Sequence, residues 1–481
     1  MGLQPIKTMK LRGNSIKGAA TALAGRPSFI AIAVGYVLSY GFMLIYAGSF
    51  FWDDWLNYFE RNSSEVRSKL SFSGFDPFRL VFEGWVTETN PAIFQFLIFI
   101  MFPISAFFLW KVLAKNKYLS EFEAIAISAL FLLLPVNSAR ASMTLFMYSF
   151  CHLCFFAAWW IIELRRRWWT VVLAIALFVL SFDTASFLFF ITVPLLNSLL
   201  NAGVNSKQVR RWIVKNLLFI VLPVAYWIFE RKLNPVLDPV RLAYWTPSIS
   251  GSLRGLIVGI LILLFAIYLI AIKKFRYAEQ RGHLQFLVGL FLIWIGMFPY
   301  MTLGHFPNLS SILIGFVPGA SDWDSRHQLL MPLGIGIATI GVFNYFGSSK
   351  LIRGVAAVCS ISIVINFTIQ QDYYLDSIKT KHIITVLRNS ADLNTVKIVL
   401  VNDQALRFNA RGRSLRTYEW DGILKAARPD LNISSETYRF VNCESIRPDA
   451  IMTITANNGK LRTLMTGDPS INIEIVRISP C

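Results

Sequence analysis

Residues 91–113 read PAIFQFLIFIMFPISAFFLWKVL, with no ionisable side chain before Lys111. A helix rises about 1.5 Å per residue, so roughly 20 such residues match a hydrocarbon core about 30 Å thick. The rest of the chain keeps this character. Of its 481 residues 55% are hydrophobic and only 15% charged, against about 25% charged in an ordinary soluble domain. Mean hydropathy is +0.53, and 40 Phe, 14 Trp and 16 Tyr add the aromatic excess of apolar spans and their interfacial belts. This argues against a soluble enzyme, a disordered hub or a disulfide-stapled secreted scaffold. The expected fold class is a polytopic α-helical membrane protein.

Working outward from 91–113, ten further segments read as spans: 28–49, 121–138, 144–163, 168–182, 186–202, 212–229, 254–272, 284–300, 329–346 and 352–369. The total is about 11 transmembrane helices. Residues 1–27 form a basic N-terminus carrying Lys7, Lys10, Arg12, Lys17 and Arg26 and no acid, which the positive-inside rule keeps cytoplasmic. Alternation then gathers 21 basic and four acidic residues on that side. The net charge of +18 is therefore read as a topology signal, and nucleic acid is not needed to explain it. The first span reads as an uncleaved signal anchor, since no small-residue cleavage site precedes Phe50. The transmembrane body is expected over 28–370, with a first exterior loop at about 50–90.

The N-in, C-out arrangement exports residues 371–481, where composition shifts to 15 basic and 12 acidic residues. Strands are expected at 397–401, 436–441, 450–455 and 471–478 and a helix at 417–428, which makes a small α/β domain. It carries no glycine-rich phosphate loop and no nucleophile elbow, so a binding or structural role is expected. Cys443 and Cys481 both fall there, where a disulfide is chemically permitted and is expected. Cys151-His152-Leu153-Cys154 has half-site spacing for a metal but no second ligand pair, and is read as a packed helix face.

The most informative polar stretch is Phe50-Phe51-Trp52-Asp53-Asp54-Trp55, where two carboxylates emerge beside tryptophans as the chain leaves the bilayer. Ionisable groups at that depth are expensive unless water, a metal or a partner receives them. The functional reading is a general base or metal ligand at the edge of a lipid-accessible cavity; the plain one is a solvated loop start. An amphipathic segment from Phe72 to Trp85 follows and can lie along the outer leaflet. A second cluster, Asp322-Trp323-Asp324-Ser325-Arg326-His327, precedes the span at 329–346. Arg326 offers a planar fork for phosphate or carboxylate, and His327 can donate to the same oxygens. An Asp324–Arg326 ion pair shaping the loop is the alternative. Arg140, Asp183, and Lys232 or Arg241 occupy the same depth, each by itself readable as a helix-end residue.

Such a site suits sugar transfer from a polyprenyl phosphate. A carboxylate draws the acceptor hydroxyl proton, and cationic donors or a metal stabilise the departing phosphate. Asp53 and Asp54 fit the first role. Arg326, His327 and Arg140 fit the second, with Asp322, Asp324, Asp183, Trp52 and Trp55 completing the candidate substrate-binding set. A divalent metal, Mg2+ or Mn2+, is an optional cofactor with Asp53 and Asp54 as its ligands.

On these residues the chain resembles the C-type (GT-C) integral-membrane glycosyltransferases, including bacterial enzymes that decorate O-antigen of lipopolysaccharide or other surface glycans. Asp53-Asp54 after the first span, the amphipathic loop, the polytopic body, the exported tail and the segment 322–327 carry the resemblance. It implies a polyprenyl-phosphate-linked sugar donor, a glycan or lipid-linked acceptor, an acidic first-loop residue as base, and inversion at the sugar carbon. By the same analogy the chain sits in a bacterial inner membrane with its C-terminal domain periplasmic. No WWDYG-like signature of oligosaccharyltransferases occurs in the tail. The competing readings are a transporter or flippase of a lipid-linked saccharide, a glycan polymerase or ligase of another fold, and a non-catalytic scaffold.

Overall fold

A computed structural model describes residues 26–60, 90–164, 167–182, 190–194, 196–197, 210, 213–214, 217–233, 247–271, 277–305, 328–431, 433–437 and 448–477. Helices α1 (Arg26–Tyr40) and α2 (Phe42–Ile45) form the first apolar segment, interrupted at Gly41, and α3 (Asp53–Glu60) follows. Next come α4 (Ala92–Leu113), α5 (Glu121–Leu133), α6 (Phe146–Glu163), α7 (Trp168–Leu180), α8 (Leu217–Leu233), α9 (Ile249–Ala271), α10 (Tyr277–Thr302), α11 (Met331–Phe346) and α12 (Ser348–Arg388). Helices thus fall on ten of the expected segments; 186–202 lies mostly outside the described residues. Five of the described helices are long and apolar enough to cross a membrane, in α4, α6, α9, α10 and α12. The segments in α1, α7 and α11 are apolar but shorter.

Local chemistry sets these elements. Ser120 caps α5 in a reciprocal capping box with Glu123. The buried Glu123 carboxylate also accepts from Gln285 and Asn344 and pairs with Arg281, so the charge does not stand alone. Helices α10 and α11 approach through glycines, the small-residue packing that lets backbones close up in membranes. A Cβ at Gly289 would lie 2.5 Å from the Ala338 nitrogen. Gly289→Val is accordingly expected to destabilise the bundle by about 1–3 kcal/mol, read as a lower denaturation temperature of the detergent-purified protein; an unchanged temperature would refute the close approach.

The expected α/β domain is present. Strands β1 (Ile398–Asp403), β2 (Ser434–Thr437), β3 (Ala450–Ala456) and β4 (Ile471–Arg477) form one sheet in the order β2-β1-β3-β4. The first three run parallel and β4 is antiparallel at the edge. Helix α13 (Thr417–Ala427) crosses from β1 to β2, and α14 (Lys460–Thr466), which the sequence pattern did not suggest, links β3 to β4. The central strands are buried at Val399, Val401, Ala450, Met452 and Ile454, as parallel strands covered by helices should be.

The boundary expected at 370–371 falls inside α12, which continues unbroken for 41 residues. Past the apolar stretch, Leu375, Ile383 and Leu387 recur at helical spacing and enter the core of the α/β domain beside Trp420 and Ile423. One helix therefore belongs to both the bundle and the domain.

Candidate functional site

The chain leaves α2 through Gly48 (φ +85°) and reaches Trp52, which adopts φ +50°. A left-handed tryptophan is strained unless its surroundings hold it. The Trp52 N–H donates to Glu419 Oε1 at 3.0 Å. Its ring meets Tyr373 edge-on at 5.5 Å, and the Arg413 guanidinium lies 5.1 Å from its centroid. Arg413 in turn makes a bidentate pair with Glu419 at 2.7 Å and 2.7 Å. That turn starts α3 at Asp53 and aims the two carboxylates differently.

Asp54 points into the bundle and has no exposed surface. Its Oδ2 accepts the Phe51 and Met143 N–H groups at 3.1 Å each. Its Oδ1 accepts the Ser142 hydroxyl at 2.6 Å, the Thr144 hydroxyl at 2.9 Å and the Thr144 N–H at 3.0 Å. A carboxylate thereby closes the 3-10 turn Met143–Leu145 that leads into α6, where unpaired N–H groups favour an anion. Burial pushes the Asp54 carboxyl up to about 6 and these donors oppose the rise. Gln95 of α4 stitches the same segments: its Nε2 donates to Ser49 O (2.8 Å) and Ala141 O (3.1 Å), and its Oε1 accepts from Gly48 N–H (2.6 Å).

Asp53 points the other way and is half-buried. The Tyr418 hydroxyl, from the first turn of α13, donates to its Oδ1 at 2.9 Å. Burial, then the facing Asp53 charge, raise the Tyr418 hydroxyl above its ordinary value and keep it a donor. Among the described residues, the pair Asp53-Asp54 thus divides into a carboxylate with a single protein donor and one enclosed by five.

Arg140 lies in the 3-10 turn Ser138–Ala141, two residues before the first Asp54 partner. Instead of capping the span at its surface, it is buried in the bundle at 1% exposure. Its Nη1 donates to Leu132 O at 3.0 Å, and its guanidinium lies 3.9 Å from the Phe102 centroid and 4.7 Å from that of Tyr40. Its Nε has no partner, and no carboxylate of the described residues lies within ion-pair distance.

The tryptophans depart from expectation. Trp52 and Trp55 are 2% and 3% exposed, so neither belongs to a lipid-facing belt or lines an open substrate cavity. Trp55 packs on α13, where a Cβ at Gly422 would lie 2.7 Å from its ring. Adjacent tryptophans at a span end resemble a belt in sequence; here the docked domain covers them. Cys151, His152 and Cys154 are buried together on α6. Asp183, Asp322, Asp324, Arg326, His327, Cys443 and Cys481 lie outside the described residues.

Among the described residues no three His, Cys, Asp or Glu side chains gather in a group that could hold a metal. Five donors already fill the Asp54 oxygens, so Asp53-Asp54 does not fit a divalent metal as a two-carboxylate site. Tyr418, Glu419, Arg413 and Gln95 were not anticipated. Gln95 had a signal, as a polar residue inside an apolar span; the other three act across more than 300 residues of chain.

The fold and site define a helical membrane body with an α/β domain docked on its first loop. No family model matches the chain, and no curated protein matches it.

Proposed function

We propose that the chain is a membrane glycosyltransferase that uses Asp53 as general base. The observation that carries the reading is the unequal engagement of two adjacent acids. Asp54 is committed to backbone and hydroxyl donors, whereas Asp53 is half-exposed with one tyrosine donor, at the bundle end that also holds the buried Arg140 cation. Asp53 would take the proton from an acceptor hydroxyl. The acceptor oxygen then bonds to the sugar anomeric carbon from the face opposite the phosphate. The anomeric C–O bond breaks, its electrons leave with polyprenyl phosphate, and the configuration inverts.

Arg326 and His327, in the sequence before α11, would stabilise the departing phosphate; Arg140, buried in the bundle, would add positive potential without touching it. The donor is a polyprenyl-phosphate-linked sugar and the acceptor a glycan or lipid-linked saccharide at the periplasmic face of a bacterial inner membrane. Asp53-Asp54 does not fit a divalent metal as a two-carboxylate site, because five donors fill the Asp54 oxygens.

The test is compositional analysis of the surface glycan from cells carrying wild type or Asp53→Asn, with protein levels checked in the membrane fraction. Loss of one specific sugar at equal protein level is the expected result. An unchanged glycan would overturn the assignment and favour transport of a lipid-linked saccharide.

A further inference from the structure

In an open α/β sheet the ligand crevice lies beyond the carboxyl ends of the strands, where successive connections diverge to opposite sides. Here β2 and β3 flank β1 on opposite sides, so that point is the carboxyl end of β1. The chain itself fills it. Lys379 of α12 enters fully buried and donates to both Asp403 oxygens at 2.7 Å and 2.6 Å, to Ala405 O at 3.3 Å and to Asn409 Oδ1 at 2.6 Å. The first turn of α13, on the same side of the sheet, is taken by the first loop through Glu419 to Trp52 and Tyr418 to Asp53. The crevice that would hold a ligand in a free-standing domain is spent on docking.

We propose that Tyr418 is a positioning residue for Asp53, so that the C-terminal domain is part of the catalytic unit and not a separate glycan-binding module. The inference rests on the reading of Asp53 as the base. The Tyr418 hydroxyl fixes Asp53 Oδ1 and leaves Oδ2 to receive the acceptor proton. Four other charged groups stand close: Asp54 on α3, Arg413 in the preceding loop, Arg416 just before α13, and Glu419 one residue on. None of them changes in Tyr418→Phe, which removes one oxygen and keeps the ring.

The experiment follows, in spheroplasts, the sugar that disappears in Asp53→Asn. Tyr418→Phe is expected to slow its incorporation about tenfold. The double variant Tyr418→Phe/Asp53→Asn should be no slower than Asp53→Asn. Should Tyr418→Phe lower the amount of protein in the membrane, incorporation per membrane protein, compared between the Asp53 and Asp53→Asn backgrounds, carries the test. A wild-type rate in Tyr418→Phe, or an equal loss from that change in the Asp53 and Asp53→Asn backgrounds, would overturn the inference and leave the domain a brace. If Asp53→Asn removes no sugar, the underlying reading fails and takes this one with it.

Discussion

Asp54→Ala is expected to strip the folded protein from the membrane fraction. The substitution leaves five donors aimed at an empty, dry space: the hydroxyls of Ser142 and Thr144 and the N–H groups of Phe51, Met143 and Thr144. Each buried unpaired donor costs about 1–3 kcal/mol, and relaxation recovers part of the total. A net loss on the order of 3–5 kcal/mol is a large part of the stability of a typical domain. Asp54→Asn should fare little better, because its amide turns a donor toward donors. Membrane-fraction immunoblots and size-exclusion profiles check the result. Wild-type levels of a monodisperse Asp54→Ala protein would mean that the carboxylate does not hold the turn.

Asp53→Asn is expected to behave in the opposite way, keeping the protein and losing the reaction. Its single hydrogen bond to Tyr418 survives through the amide oxygen, so the fold loses little. The lost basicity should lower the rate of transfer by about 10²–10⁴, the usual worth of a positioned general base. Incorporation of the affected sugar, normalised to protein in the membrane, measures it. A rate within threefold of wild type would remove Asp53 from the chemistry. The two variants together separate an acid that builds the site from one that works in it.

Much of this fold could be read from periodicity. Apolar runs placed the helices, and strand alternation placed β1, β3 and β4 within about two residues, because burial on one face or in one layer leaves a local signature. The continuation of α12 escaped, since the change from lipid-facing to domain-facing residues alters polarity but not helical spacing. Short α14 escaped for want of enough turns to show a period. At the site, the acid pair was visible and its asymmetry was not. Which of Asp53 and Asp54 turns inward depends on the left-handed Trp52, and that conformation depends on Glu419 and Arg413. No local pattern encodes a contact across 367 residues of chain.

The 41-residue α12 gives the molecule a lever arm. At about 1.5 Å per residue it is a rod some 60 Å long, with no hinge between its lipid-facing half and the half in the α/β core. Tyr40 and Tyr46 bind it low, at Asn366 and Gln370, and Lys379 locks it to the domain above. A swing of about 5° about its start would carry its far end through about 5 Å. Helix tilt answers to bilayer thickness, and an unhinged rod carries any change of tilt in its apolar half into the half packed in the α/β core.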